Sequence, residues 1–427
     1  MNKKAIKIFL IVIITVSFTF GEDVFLLDVK GAIDPPIYEY IRIGIQKAKE
    51  SDATLVVITL DTPGGLMSST KDIVAEILGS DIPVAVFVYP AGSRAASAGV
   101  FISMAAHISA MAPGTHIGAA HPVTIGPPND TSTIMREKVT NDAVAWLKSL
   151  ARLRKRNIDW AIQSVKKSQS ITAVEAESLN IIDIVAKDLN ELFEKIEQFS
   201  INFDDTTVQI SLNEPSVNTL EMTLQQKFLH TILNPNLAYL LMILGIIGLY
   251  LEFQNPGMIF PGVIGVISIL SAIYAFQILP VNYVGILLII AGIVMFILET
   301  QIPGFGLLTS GGIIAMLLGS FMLTSGNPPA LKISWWTIIP TVAFVAILFI
   351  FIVAKALMIQ RKKVTTGYDG LVGEIGEVIV EIPPDGVGKV LTHGEIWNAK
   401  SSSKLSKGTP VKIVKVDRMT IWVEEIE

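Results

Sequence analysis

Between residues 237 and 360 the only charged side chains are Glu252, Glu299, Lys332 and Lys355. A helix needs about 20 apolar residues to cross a hydrocarbon core of about 30 Å, and this region supplies several such lengths in succession. Polar or Pro/Gly-containing breaks at 252–257, 280–282, 299–303 and 325–335 divide it into spans expected near 237–251, 258–279, 283–298, 304–324 and 336–359. Gly245, Gly248, Gly262, Gly265, Gly312 and Gly319 offer small surfaces for close helix packing. Glu252 and Glu299 fall at span ends and are read as interfacial caps rather than ion-pathway groups, so the block is an anchor. The whole chain agrees: 51% of its residues are hydrophobic and the mean hydropathy is +0.56. A net charge of −5 gives no electrostatic case for nucleic acid as a partner. The absence of cysteine excludes disulfides, iron–sulfur clusters, thiolate zinc sites and cysteine nucleophiles.

At the N-terminus Lys3, Lys4 and Lys7 precede an apolar run over 8–20. This is the layout of a secretory signal, and residues 1–21 are read as a signal peptide or an uncleaved signal anchor. Basic flanks stay in the cytoplasm, and Arg361, Lys362 and Lys363 follow the apolar block directly. Placing both clusters on the cytoplasmic side requires an odd number of crossings in the block, and five satisfies it. The segment from Glu22 is then extracytoplasmic and the C-terminal part cytoplasmic. Residues 22–200 alternate β-branched runs with helical periodicity, which predicts an α/β domain with a largely parallel sheet. Thr172 and Glu175 form the signature of a capping box opening a further helix. Residues 201–236 show little periodicity and read as a linker. Residues 366–427 carry short β-rich runs punctuated by glycine and proline, a pattern that fits a small five-stranded barrel of the OB type.

Three stretches of the first domain carry the chemistry. A strand over 54–60 runs into Asp61, Thr62, Pro63, Gly64 and Gly65. A strand over 83–89 runs into a turn whose Ser97 is flanked by Ala96, Ala98 and Gly99. In parallel α/β sheets such strand ends are where sites form. Ser97 is either a nucleophile exposed among small residues or part of a tight helix–sheet contact. The helix N-terminus beginning at Ala98 offers unpaired N–H groups to a developing oxyanion, and Gly64 with Gly65 can bring another close. A serine nucleophile needs a base. Lys138 and His121 both lie downstream; the lysine works only if burial removes its proton, whereas histidine has the better intrinsic affinity. The alternatives are a solvated Lys138 paired with Asp142 four residues on, and a His121 satisfied by backbone. No Walker A or complete dinucleotide fingerprint is present, so no cofactor is called for.

At these residues the chain resembles a known family. Residues 61–65, 93–99, 111–115 and 117–122 look like the motifs of the membrane-bound Clp-class serine proteases of the nodulation-efficiency protein D (NfeD) group, also called stomatin operon partner proteins. The likeness runs along the whole chain. It implies a Clp/crotonase-like α/β domain, a multi-span helical block and a C-terminal OB barrel. It further implies peptide hydrolysis by a Ser–Lys dyad, with Ser97 as nucleophile and Lys138 as base. Gly64, Gly65 and Ala98 would supply the oxyanion hole. Soluble Clp proteases take a histidine shortly after the serine, which keeps His121 as the rival base. Implied partners are the lipid bilayer, membrane proteins of the stomatin/prohibitin type, and other copies of the protease domain. Two other classes compete: a crotonase-like acyl-CoA enzyme, and a non-proteolytic membrane scaffold partnering stomatin-like proteins.

Overall fold

The computed structural model of the chain describes residues 23–122, 130–203, 206–212, 215–257, 259–302, 306–326, 331–360 and 370–426. The N-terminal signal and both basic clusters that set the expected topology lie outside the described residues. The first part opens with β1 (Asp23–Lys30), α1 (Pro35–Glu50), β2 (Leu55–Asp61), α2 (Met67–Leu78) and β3 (Val84–Val88). It continues through β4 (Arg94–Ala96), α3 (Ala98–Ala105), β5 (Ile108–Met111), β6 (His116–Gly118) and the long α4 (Asp130–Leu153). Next come α5 (Ile158–Lys166), β7 (Ser170–Thr172), α6 (Ala173–Ser178), β8 (Ile184–Val185) and α7 (Leu189–Glu197). The hairpin β9 (Ser200–Phe203) and β10 (Thr206–Gln209), β11 (Ser216–Leu220) and α8 (Leu224–Ile232) complete it.

The central sheet has six strands in the order β11-β1-β2-β3-β5-β8, every pairing parallel. Such a sheet is covered on both faces, and its strands therefore read as continuous apolar runs. Alternate residues feed two separate cores. Val56, Ile58 and Leu60 of β2 join Val84, Val86 and Val88 of β3 on one face. Leu55, Val57, Ala85 and Phe87 turn to the other, where Leu192, Phe193 and Ile196 of α7 cover them. A smaller sheet, β4-β6-β7, stands beside it and carries the turn around Ser97.

Within the segment 201–236, expected as a linker, the described strand Ser216–Leu220 is instead built into this domain. β11 extends the sheet beside β1, in register from Asp23 with Ser216 to Leu27 with Leu220. The Tyr40 hydroxyl locks it by donating to the Leu220 carbonyl at 2.7 Å. β11 is an exposed edge strand of mostly polar residues, so the apolar alternation that marks a strand is missing. The capping box of Thr223 and Gln226 starts α8 immediately after it.

Five apolar helices follow: α9 (Pro235–Gln254), α10 (Ile259–Ile278), α11 (Tyr283–Gln301), α12 (Leu307–Leu323) and α13 (Trp335–Gln360). Among the described residues, α9, α10, α11 and the 335–355 part of α13 are long and apolar enough to cross a membrane, and α12 is a shorter apolar helix. α9 and α10 meet backbone to backbone: a Cβ added to Gly248 would lie 2.7 Å from the Pro261 carbonyl oxygen. The Tyr239 hydroxyl bonds Ser320 Oγ at 2.8 Å and ties α9 to α12. Glu299 is buried and accepts from the N–H groups of Gly306 and Thr309, capping the start of α12.

The C-terminal part is a closed barrel in the order β12-β13-β14-β16-β15. Its strands are β12 (Ile375–Val380), β13 (Gly388–Thr392), β14 (Glu395–Lys400), β15 (Pro410–Asp417) and β16 (Thr420–Glu425). Val378, Val390, Ala399, Val411, Ile413, Ile421 and Val423 alternate inward and fill it.

Candidate active site

Ser97 sits where β4 gives way to α3, with φ 52° and ψ −106°. A side-chain-bearing residue reaches such a backbone only when its surroundings hold it there, and strain of this kind gathers at functional sites. Here the turn is held from two sides. The Ser97 N–H donates to the Gly118 carbonyl at 3.0 Å, and the Ala96 N–H to the Thr62 carbonyl at 3.0 Å. Small residues make the fit possible: a Cβ on Gly99 would come within 2.8 Å of Thr62 Cγ2. Ser97 remains half-buried, open on one side.

Gly64 faces the serine. Its φ is +116°, and a Cβ there would lie 2.8 Å from Ser97 Cβ and 3.2 Å from Oγ. Its own N–H is engaged by Thr62 Oγ1 at 3.1 Å, so Gly64 contributes space rather than a donor. The N–H groups of Gly65 and Ala98 have no hydrogen-bond partner among the described residues. Gly65 is pressed against the backbone of Ile33, whose carbonyl oxygen would lie 2.2 Å from an added Cβ. Ile33 N–H donates to the Gly64 carbonyl at 2.9 Å and the Leu66 N–H donates back to Ile33 at 2.8 Å. The turn 64–66 is thus bound rigidly to the end of β1.

The two candidate bases are placed on neighbouring elements. α4 lies across α3, with Trp146 stacked on Phe101 at 4.5 Å between ring centroids and Leu147, Leu150 and Ala151 buried. Lys138 is on the exposed N-terminal half of α4. Asp142, its expected partner, pairs instead with Lys71 at 3.6 Å. His121 is exposed, and its Nδ1 lies 2.8 Å from the Val165 carbonyl. A carbonyl only accepts, so Nδ1 carries the proton and the lone pair is left on Nε2. Among the described residues no hydrogen bond joins Ser97 Oγ to Lys138 or to His121. The structure therefore sets the turn of Gly64 and Gly65 against the turn of Ser97 and Ala98, and bonds neither base to the serine.

The chain matches three family models in succession: the NfeD1b N-terminal domain over residues 23–216, the NfeD integral membrane domain over 236–355, and the NfeD-like C-terminal, partner-binding domain over 368–425. It is 36% identical to the membrane-bound protease PH1510 of Pyrococcus horikoshii, over 94% of this chain and 92% of that one. The chain belongs to the NfeD family of membrane-bound proteases. The membrane protein NfeD1b of Bacillus subtilis is 26% identical over 95% of this chain and 93% of its own length. A solved structure of the 1510-N membrane-bound stomatin-specific protease, S97A mutant, is 33% identical and covers 48% of this chain and 99% of its own, with a TM-score of 0.44. The K138A mutant of 1510-N, in complex with a substrate peptide, is 33% identical over 50% of this chain and 98% of its own, at a TM-score of 0.46.

This NfeD chain also holds α3, the helix that follows Ser97, from behind, which sequence reasoning missed. Arg156 donates to the Ser103 and Met104 carbonyls at 2.8 and 3.1 Å, and Arg154 to the Ala105 carbonyl at 2.9 Å. These are the orphan acceptors at the C-terminal end of α3, where cations are favoured. Burial pushes Arg154 down to about 10. Burial, with the two arginines beside it, pushes His107 down to about 3, so this imidazole is neutral and accepts from the Val84 N–H. Two arginines at the foot of a long helix read in sequence as a solvated basic end. Only the crossing of α4 over α3 gives them carbonyls to cap.

Proposed function

We propose that this NfeD protein is a membrane-bound serine endopeptidase that cleaves hydrophobic segments of stomatin/prohibitin-type membrane proteins with Ser97 as nucleophile and Lys138 as base. The observation that carries the reading is the strained Ser97 turn, with two unengaged N–H groups beside it, in a chain that matches a membrane-bound protease from end to end. Ser97 Oγ attacks the scissile carbonyl while neutral Lys138 Nζ takes its proton. The N–H groups of Gly65 and Ala98 stabilise the tetrahedral oxyanion. The ammonium then protonates the leaving amine, and water hydrolyses the acyl-enzyme by the same steps.

A lysine surrounded by water is an ammonium and accepts no proton. Ile134 and Met135 precede Lys138 by four and three residues, on the same helix face, and both are exposed. A hydrophobic peptide lying along that face covers the amine and favours its neutral form. Selectivity for apolar segments and activation of the base are then one event. The protease domain is placed outside the cytoplasm and the barrel inside it, with five crossings between, on the positions of the two basic clusters. Self-association of the protease domain and recruitment of the stomatin-type partner through the barrel complete the reading. Purified full-length chain in detergent should hydrolyse a hydrophobic peptide, and Ser97→Ala should abolish this while the thermal unfolding profile is kept. Turnover unchanged in Ser97→Ala would remove the serine-peptidase reading.

A further inference from the structure

The oxyanion turn and the membrane block share a support. Ala32 and Leu66, which flank the paired Ile33 and Gly65, pack against a buried apolar cluster of Leu233, Ala238, Ala275, Leu279 and Leu331 at the ends of the helices that follow α8. Beside that cluster, His230 of α8 reaches back to the same strand end. Its Nδ1 lies 2.6 Å from Asp34 Oδ2, and its ring stands over the backbone of the residues that follow Lys30. Gly31 lies under the ring, and a Cβ added there would meet His230 Nε2 at 3.2 Å. Asp34 uses its second oxygen to cap α1 at the Ile37 N–H, so its position is fixed on both sides. Residues 30–34 are therefore held between the imidazole and the 64–66 turn. On the turn side, Gly31 N–H donates to the Asp61 carbonyl and Ile33 binds Gly64 and Leu66.

We propose that His230 is a positioning residue of the peptidase: by bonding Asp34 and packing over Gly31 it fixes the strand end that sets the Gly65 N–H opposite Ser97, and so makes the juxtamembrane helix α8 part of the site. The inference rests on the assignment of Gly65 as an oxyanion donor. The charged group facing His230 is the Asp34 carboxylate at the start of α1; on its own helix, Lys227 is paired with Glu221. Displacement of one donor acts on the transition state and leaves ground-state peptide binding in place. A helix that merely fastens the domain would change stability instead.

The test uses full-length protein in detergent and a short peptide of apolar residues, with kcat, KM and the unfolding temperature measured for each variant. His230→Ala should lower kcat about tenfold or more with little change in KM, the pattern of a lost transition-state contact. His230→Asn, whose amide can still donate toward Asp34, should recover most of the loss. Thr223→Ala, which removes the cap of α8 and touches nothing near residues 30–34, should lower the unfolding temperature and leave kcat unchanged. If His230→Ala does not fold, Asp34→Asn decides, because asparagine keeps the α1 cap and removes the charged partner: a fall in kcat is expected, measured at a temperature where the variant is fully folded. A kcat within twofold of the parent in the folded His230 variant, or in Asp34→Asn, would overturn the proposal, as would a loss in Thr223→Ala equal to that in His230→Ala. A fully active Ser97→Ala would instead show that the peptidase reading itself fails, and this inference with it.

Discussion

At the scale of single residues, the site divides into what is local and what is not. Ser97, Ala98 and Gly99 are neighbours in the chain, and a small-residue turn before a helix announces itself in sequence. Gly64 was legible as a glycine needed for close approach, but not as one whose donor Thr62 takes. The base was not legible from the residues alone, because neither Lys138 nor His121 is fixed relative to Ser97 by anything nearby in sequence. If Lys138 is the base, Lys138→Ala should lose activity about as fully as Ser97→Ala, since nucleophile and base act as a unit. Lys138→Arg should fail too, because a guanidinium does not give up its proton at working pH. His121→Ala should keep most of the activity, since its Nδ1–H bond to the Val165 carbonyl orients the ring but nothing bonds it to Ser97. In a pH–rate profile kcat/KM should climb as the pH rises, following loss of the lysine proton. An inactive His121→Ala beside an active Lys138→Ala would reverse the assignment. Gly64→Ala should also be inactive. It forces a Cβ into a positive-φ position 2.8 Å from Ser97 Cβ, and peptide turnover measured beside a circular dichroism spectrum would separate a blocked site from an unfolded one.

At the scale of elements, the parallel sheet, the capping box at Thr172 and the apolar helices follow from patterns that any stretch of chain displays by itself. The edge strand β11 and the contact of α8 with α1 do not. β11 is polar because its faces are open, and α8 owes its place to a histidine and an aspartate nearly two hundred residues apart. That contact has a pH signature. The hydrogen bond that His230 donates to the Asp34 carboxylate, outweighing burial, raises His230 above its usual value. A histidine so raised stabilises the folded state fully below its unfolded value near ~6.5, and the contribution is lost as the pH rises through the higher folded value. The unfolding temperature of the parent should therefore fall more than that of His230→Asn between about pH 6 and pH 9. Parallel curves for the two proteins would mean that the pair carries no proton-linked stability.

At the scale of the whole molecule, the order of parts along the chain was legible because each part has its own composition: apolar-buried strands, uncharged helices, then a short alternating barrel. If, as proposed, the protease domain lies outside and the barrel inside, protease added to right-side-out vesicles should digest the domain over 23–200 and spare a tag placed after Glu427. Loss of both would require an even number of crossings. The direction of β1 carries a further consequence, for maturation. The strand ends at Lys30, and two residues further on Ala32 packs against the apolar cluster that includes Leu233 and Leu279, so Asp23 begins β1 at its other end. Eight residues of parallel strand cover about 26 Å. In sequence only Gly21 and Glu22 separate the apolar run over 8–20 from Asp23, so removal of a leader would leave β1 as the first element of the chain. Intact-mass measurement of membrane-extracted protein distinguishes the two cases: a chain that begins near Glu22 has lost its leader, and one that still contains Lys3 has kept it as an anchor.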